Sequence, residues 1–207
     1  MDTVNRLLDA KNKLFNHIIV LIISSLLTYV FWLSGVDFNR AVAGTAFTLL
    51  FLTLVIGPLM QLFKPMIKVL PWGVPWSWRG ELGIWFATLS VLHFFLALSE
   101  NQWQMRWSLA SILGLVALFW AIILTVTSFG SVIRFLGVES WRWIHTFAYV
   151  IFYLVGAHVV QHAFLRPNRP DSWMHWMYVV MMAVVVILQF TAFIKNVIHY
   201  RKNLKSS

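Results

Sequence analysis

Six stretches of this sequence run for close to twenty residues with almost no charge, at His17–Val36, Val42–Phe63, Glu81–Ser99, Trp107–Phe129, Trp143–Phe164 and Met174–Phe193. The hydrocarbon core of a bilayer is about 30 Å thick and a helix rises about 1.5 Å per residue, so each stretch is as long as one membrane crossing requires. Together they consume most of the chain. Composition agrees: 60 % of the 207 residues are hydrophobic and 11 % charged, against about 45–50 % and about 25 % in soluble domains. The expectation is an all-α membrane protein, a six-transmembrane-helix bundle forming a single domain over residues 1–207, with no room for a soluble domain. The first stretch is long enough to span and no small-residue cleavage site follows it, so it is expected to remain as a helix behind a polar lead-in, Met1–Asn16.

The formal charge of +9 would suit a polyanion, but its placement argues against nucleic acid. Assigning the connections to alternate sides puts twelve of the sixteen basic residues on one side: Arg6, Lys11, Lys13, Lys64, Lys68, Arg79, Arg134, Arg142, Lys195, Arg201, Lys202 and Lys205. Arg40, Arg106, Arg166 and Arg169 fall on the other. The positive-inside rule then predicts cytoplasmic N- and C-termini and lipid as the surrounding partner. Nine tryptophans cluster at span ends (Trp72, Trp76, Trp78, Trp103, Trp107, Trp141, Trp143, Trp173 and Trp176), where indole is favoured at the headgroup layer. The absence of cysteine removes iron–sulfur clusters, thiolate metal sites and disulfide relays within the chain.

The connections carry their own signals. Lys64–Gly80, with three prolines, reads as a segment along the inner surface, and Gly57-Pro58 should kink the second span. Gly137-Val138-Glu139-Ser140 reads as a turn with Ser140 as N-cap. Arg166–Asp171 reads as a rigid outer loop.

Ionisable groups inside a membrane are costly and mark function. Of seven histidines, His17, His175 and His199 fall at span ends and read as interfacial, whereas His93, His145 and His158 fall within spans. Counted from the predicted span starts, His93 lies about 18 Å deep, His158 about 22 Å and His145 about 3 Å. His93 and His158 therefore share a level on two spans that run the same way, with no Asp or Glu expected in any span interior. Two imidazoles so placed suit the axial positions of one haem held between helices. The plain alternative is a pair of histidines that hydrogen-bond neighbouring helices. His162, one turn beyond His158, shares its face and is a substitute ligand. His145 and His158 are 13 residues apart, a net rotation of about 220° that puts them on different faces unless the helix is irregular near Gly156.

The segment Trp78-Arg79-Gly80-Glu81-Leu82-Gly83-Ile84-Trp85, followed by Leu92-His93, resembles the third helix of the ferric-reductase-like transmembrane family. Leu124-Thr125-Val126-Thr127-Ser128, and Trp141-Arg142-Trp143-Ile144-His145-Thr146-Phe147-Ala148-Tyr149 followed by His158, resemble its fourth and fifth helices. The resemblance covers roughly residues 40–165, and within the family it is nearest to the haem-binding membrane subunits of periplasmic methionine sulfoxide reductase systems. It implies electron transfer across the bacterial inner membrane through haem b, with His93 and His158 as ligands. Family members with two stacked haems carry a further histidine where this chain has Arg79, which favours one haem and leaves His145 either as a supporting group or as a ligand to a second.

Arg79 and Arg142 sit where the third and fifth spans enter. They read either as ordinary topology anchors or as a cationic mouth for a haem propionate, a flavin phosphate or a quinone oxygen, since guanidinium offers a rigid fork of donors. The chain has no glycine-rich nucleotide motif, so a cytoplasmic flavin reductase or quinol would have to supply electrons, and a periplasmic reductase subunit would receive them. The competing functions are a stand-alone ferric reductase and, from another class, a non-redox proton or ion transporter.

Overall fold

The computed structural model describes residues 10–63, 74–165 and 172–204, with side chains described for 14–63, 78–165 and 172–204. Eight helices form there: α1 (Ala10–Leu33), α2 (Phe38–Leu62), α3 (Val74–Glu100), α4 (Leu109–Val126), α5 (Gly130–Leu136), α6 (Val138–His145), α7 (Phe147–Ala163) and α8 (Trp173–Leu204). Six spans are long and apolar enough to cross a membrane, the fifth being α6 and α7 in succession over Val138–Ala163. The chain is an all-helical, six-span membrane bundle. The expected loop Arg166–Asp171, residues 64–73 of the expected inner-surface segment with Lys64, Lys68 and Trp72, and residues 1–9 of the lead-in with Arg6 lie outside the described residues.

Helix starts and stops follow from local chemistry. Asp37 caps α2, its carboxylate accepting the Arg40 N–H at 3.0 Å while pairing with the Arg40 side chain at 2.8 Å. Ser108 caps α4 by accepting from the Ser111 N–H at 3.1 Å. At the far end of α2, the Lys195 ammonium donates to the carbonyls of Gln61 and Leu62 at 2.8 and 3.0 Å, satisfying acceptors that the helix leaves open.

Pro58 lies inside α2, which continues to Leu62, as the expected span through Phe63 requires. Three local expectations change. α3 begins at Val74, so Val74–Gly80 is helix rather than loop. Pro75 is compatible with this because a first-turn residue needs no N–H bond. Gly137, at φ +78°, rather than Ser140, forms the junction before α6. The irregularity in the fifth span is at Thr146 rather than at Gly156: the N–H of Thr146 reaches back only to Trp143, and that of Tyr149 only to Thr146.

The spans form two unequal leaves. In the larger, α3 packs along most of α2, with α8 and α1 on the other sides of α2. In the smaller, α7 packs along α4. α3 and α7 scarcely touch, so a seam runs between the leaves. The core centres on α2, where Leu49, Leu50 and Leu54 meet Ile151, Phe152 and Val185. Thr28 and Thr45 share a 2.8 Å hydrogen bond between α1 and α2, a contact suited to a medium without competing water. The outer surface carries exposed Val30, Ile187, Phe190 and Phe193, an apolar exterior that fits lipid as solvent.

Candidate functional site

Two residue pairs bring partners on α3 and the fifth span within electrostatic reach of each other. The first is His93 of α3 and His158 of α7, close enough for the charge of either to act on the other. Each ring is held through Nδ1. His93 Nδ1 lies 2.6 Å from Asn39 Oδ1, and Asn39 Nδ2 donates to Glu100 Oε2 at 3.0 Å. A carboxylate only accepts, which fixes the Asn39 amide with its oxygen toward the imidazole. His93 Nδ1 is therefore the protonated, donating nitrogen. His158 Nδ1 donates to the Ala110 carbonyl at 2.7 Å. In both rings the lone pair consequently falls on Nε2.

Helix starts place these partners. Asn39 is the second residue of α2 and Ala110 the second of α4, and alternate spans begin at the same face of the bundle. Because Asp37 already caps α2, the Asn39 side chain is spared for His93. Gly114 makes room for His158: a Cβ there would lie 2.9 Å from its Nδ1 and 3.1 Å from its Cε1. His162 stands beside His158, ring centroids 4.8 Å apart and edge-on, on the same face as expected.

The second pair is Arg79 of α3 and His145 of α6, which also interact electrostatically. Arg79 Nε donates to the Thr53 carbonyl at 3.0 Å, one turn before Gly57-Pro58. A Cβ at Gly57 would come within 3.3 Å of the guanidinium, so glycine lets the arginine lie against α2. His145 Nε2 is 3.3 Å from the Thr127 hydroxyl, and its ring lies 4.4 Å from that of Trp141. Trp141 thus serves this cluster, whereas Trp103, Trp107, Trp143 and Trp176 are exposed near span ends. Arg142 is not brought to the cluster: it is exposed on α6.

His175 and Glu81 keep their expected places near span ends but are buried there by neighbouring helices. His175, the third residue of α8, is 8 % exposed and packed on Phe164. Glu81, in the first turn of the span Trp78–Glu100, is 5 % exposed, with Asn16 Nδ2 at 3.5 Å from one oxygen and no hydrogen-bond partner for the other among the described residues. Asn39 was missed because the second span was expected to begin at Val42; the Asp-x-Asn pattern of a capped helix start was the available signal.

Among the described residues, no group of three or more His, Asp or Glu converges to hold a bare metal ion. A macrocycle supplying its own four equatorial nitrogens asks the protein only for axial ligands. Two imidazoles from opposite leaves, each with Nδ1–H held by an oxygen and the lone pair on Nε2, match that requirement and its usual outer support. The chain matches no family model and no curated protein.

Proposed function

We propose that this chain is a b-type cytochrome of a bacterial inner membrane, oriented with both termini in the cytoplasm. It relays electrons from a cytoplasmic flavin reductase or the quinol pool to a periplasmic reductase subunit, one that repairs oxidised methionine being the favoured acceptor. The observation that carries this reading is the His93–His158 pair, drawn from two leaves that scarcely touch along α3 and α7, with both rings oriented by donation from Nδ1.

Haem, when bound, supplies a one-electron carrier buried in a medium that admits no free electron or ion. The chain's part is to bind and orient. Asn39 and the Ala110 carbonyl hold the two tautomers, and Gly114 clears the space beside His158. Arg79, beside His145 on the entry side, offers its remaining guanidinium donors to an anionic or carbonyl group such as a propionate, a flavin phosphate or a quinone.

Haem content and the reduced-minus-oxidised spectrum of the detergent-purified protein test the proposal. The expected result is a six-coordinate b-type spectrum at about one haem per chain, with the low-spin signal abolished in His93→Ala and in His158→Ala. A signal retained in either variant removes that residue as a ligand. A colourless protein from haem-replete cells rejects the cytochrome. The second reading, a proton or ion transporter, is favoured by the buried Glu81 carboxylate; it predicts a colourless protein whose proton flux is lost in Glu81→Gln.

A further inference from the structure

The two imidazoles are held unequally. His158 donates to a neutral backbone carbonyl, whereas His93 donates to Asn39, which itself donates to the Glu100 carboxylate. The polar chain His93–Asn39–Glu100 joins three residues from two helices and leads from the seam to the surface: Asn39 is 7 % exposed and Glu100, the last residue of α3, is exposed. Neither position is explained by its own helix. Asn39 is not needed as a cap, because Asp37 performs that role. Glu100 sits at the C-terminal end of a helix, where the unpaired carbonyls disfavour a negative charge. It makes no ion pair among the described residues.

We infer that Asn39 and Glu100 are positioning residues that set the redox potential of the site, Asn39 by fixing the His93 tautomer and Glu100 by adding negative charge at the end of the relay. The inference rests on the cytochrome reading. A carboxylate linked through an amide to the imidazole N–H draws that proton outward and makes Nε2 a stronger electron donor. A stronger donor favours the ferric over the ferrous state, and the charge of the exposed Glu100 acts in the same direction, weakened by solvent screening. Both effects lower the potential. The Nδ1 of His158 is instead tied to a neutral peptide carbonyl.

Redox titration and EPR of the haem-loaded full chain in detergent test this. In Glu100→Gln the amide oxygen still accepts from Asn39, so the hydrogen bond is kept and only the charge is lost; the midpoint potential is expected to rise with haem content unchanged. In Asn39→Leu the rise should be larger, and the low-spin g values should move because His93 loses the acceptor that orients its ring. A merely structural role would alter haem retention or thermal stability without a directed shift in potential. Unchanged potentials in a fully loaded Glu100→Gln overturn the inference while leaving the cytochrome intact, and this holds even if Asn39→Leu fails to fold. A wild-type protein without haem overturns the underlying reading instead.

Discussion

At Gly114 an added methyl would meet the His158 ring at 2.9 Å, closer than carbon and nitrogen tolerate. The ring would have to turn away from the Ala110 carbonyl. Losing an orienting bond of this kind weakens metal binding by about 10–100-fold. Gly114→Ala is therefore expected to bind haem about 10–100-fold more weakly, as measured by titrating haem into the detergent-solubilised apoprotein, and an unchanged affinity would mean that His158 Nδ1 has no such role. The residue scale is also where sequence reading was uneven. His93 and His158 could be singled out because depth along a helix is set by residue count. Their supports could not: Ala110 contributes a carbonyl that every residue possesses, and Asn39 was assigned to a connection because its helix start was placed late. Glu81 lies near the start of the third span as expected, although α3 itself begins seven residues earlier, at Val74.

Among the elements, α3 is the one that serves both pairs, with Arg79 and His93 separated by 14 residues, about 21 Å along its axis. The fifth span achieves the matching separation with a break. His145 ends α6 and Thr146 interrupts the helix before α7 carries His158, so the two histidines belong to separate helices of one span. An ideal-helix count cannot anticipate such a break because nothing in Ile144-His145-Thr146-Phe147 is a strong helix breaker. The Arg79 seat belongs to this scale as well. Its guanidinium rests on the α2 backbone at Thr53 and Gly57, a contact that no pattern within α3 reveals. Arg79→Ala should slow reduction by a quinol analogue in stopped flow while the low-spin spectrum stays intact. Gly57→Val, which would push the guanidinium off α2, should slow it in the same direction. Reduction kinetics unchanged in both would leave Arg79 as a topology anchor.

For the whole molecule, the number of spans was legible because hydrophobic length is matched to the thickness of the surrounding medium, and that match is a property of each segment alone. The division into two leaves was not, since the partners of a helix are chosen by side-chain fit between segments distant in sequence. α2 and α3 share an extensive interface in which Leu82, Phe86 and Ala87 bury against the α2 core, yet no feature of their apolar runs distinguishes that pairing from others. Orientation follows from the basic residues, twelve on the proposed cytoplasmic side. A fluorescent protein fused to the C-terminus should therefore be bright and an alkaline phosphatase fusion inactive. The opposite outcome would invert the direction of electron flow proposed for the chain.

The seam has a consequence for the life of the protein in its membrane. The two leaves are already joined where Ile151 and Phe152 of α7 meet the α2 core and stand apart only along α3 and α7, so a ligand that binds in that gap would add its free energy to that of folding. On the proposed reading, a loaded copy would be harder to unfold than an empty one, and it would gain that margin along α3 and α7, where the protein's own side chains meet least.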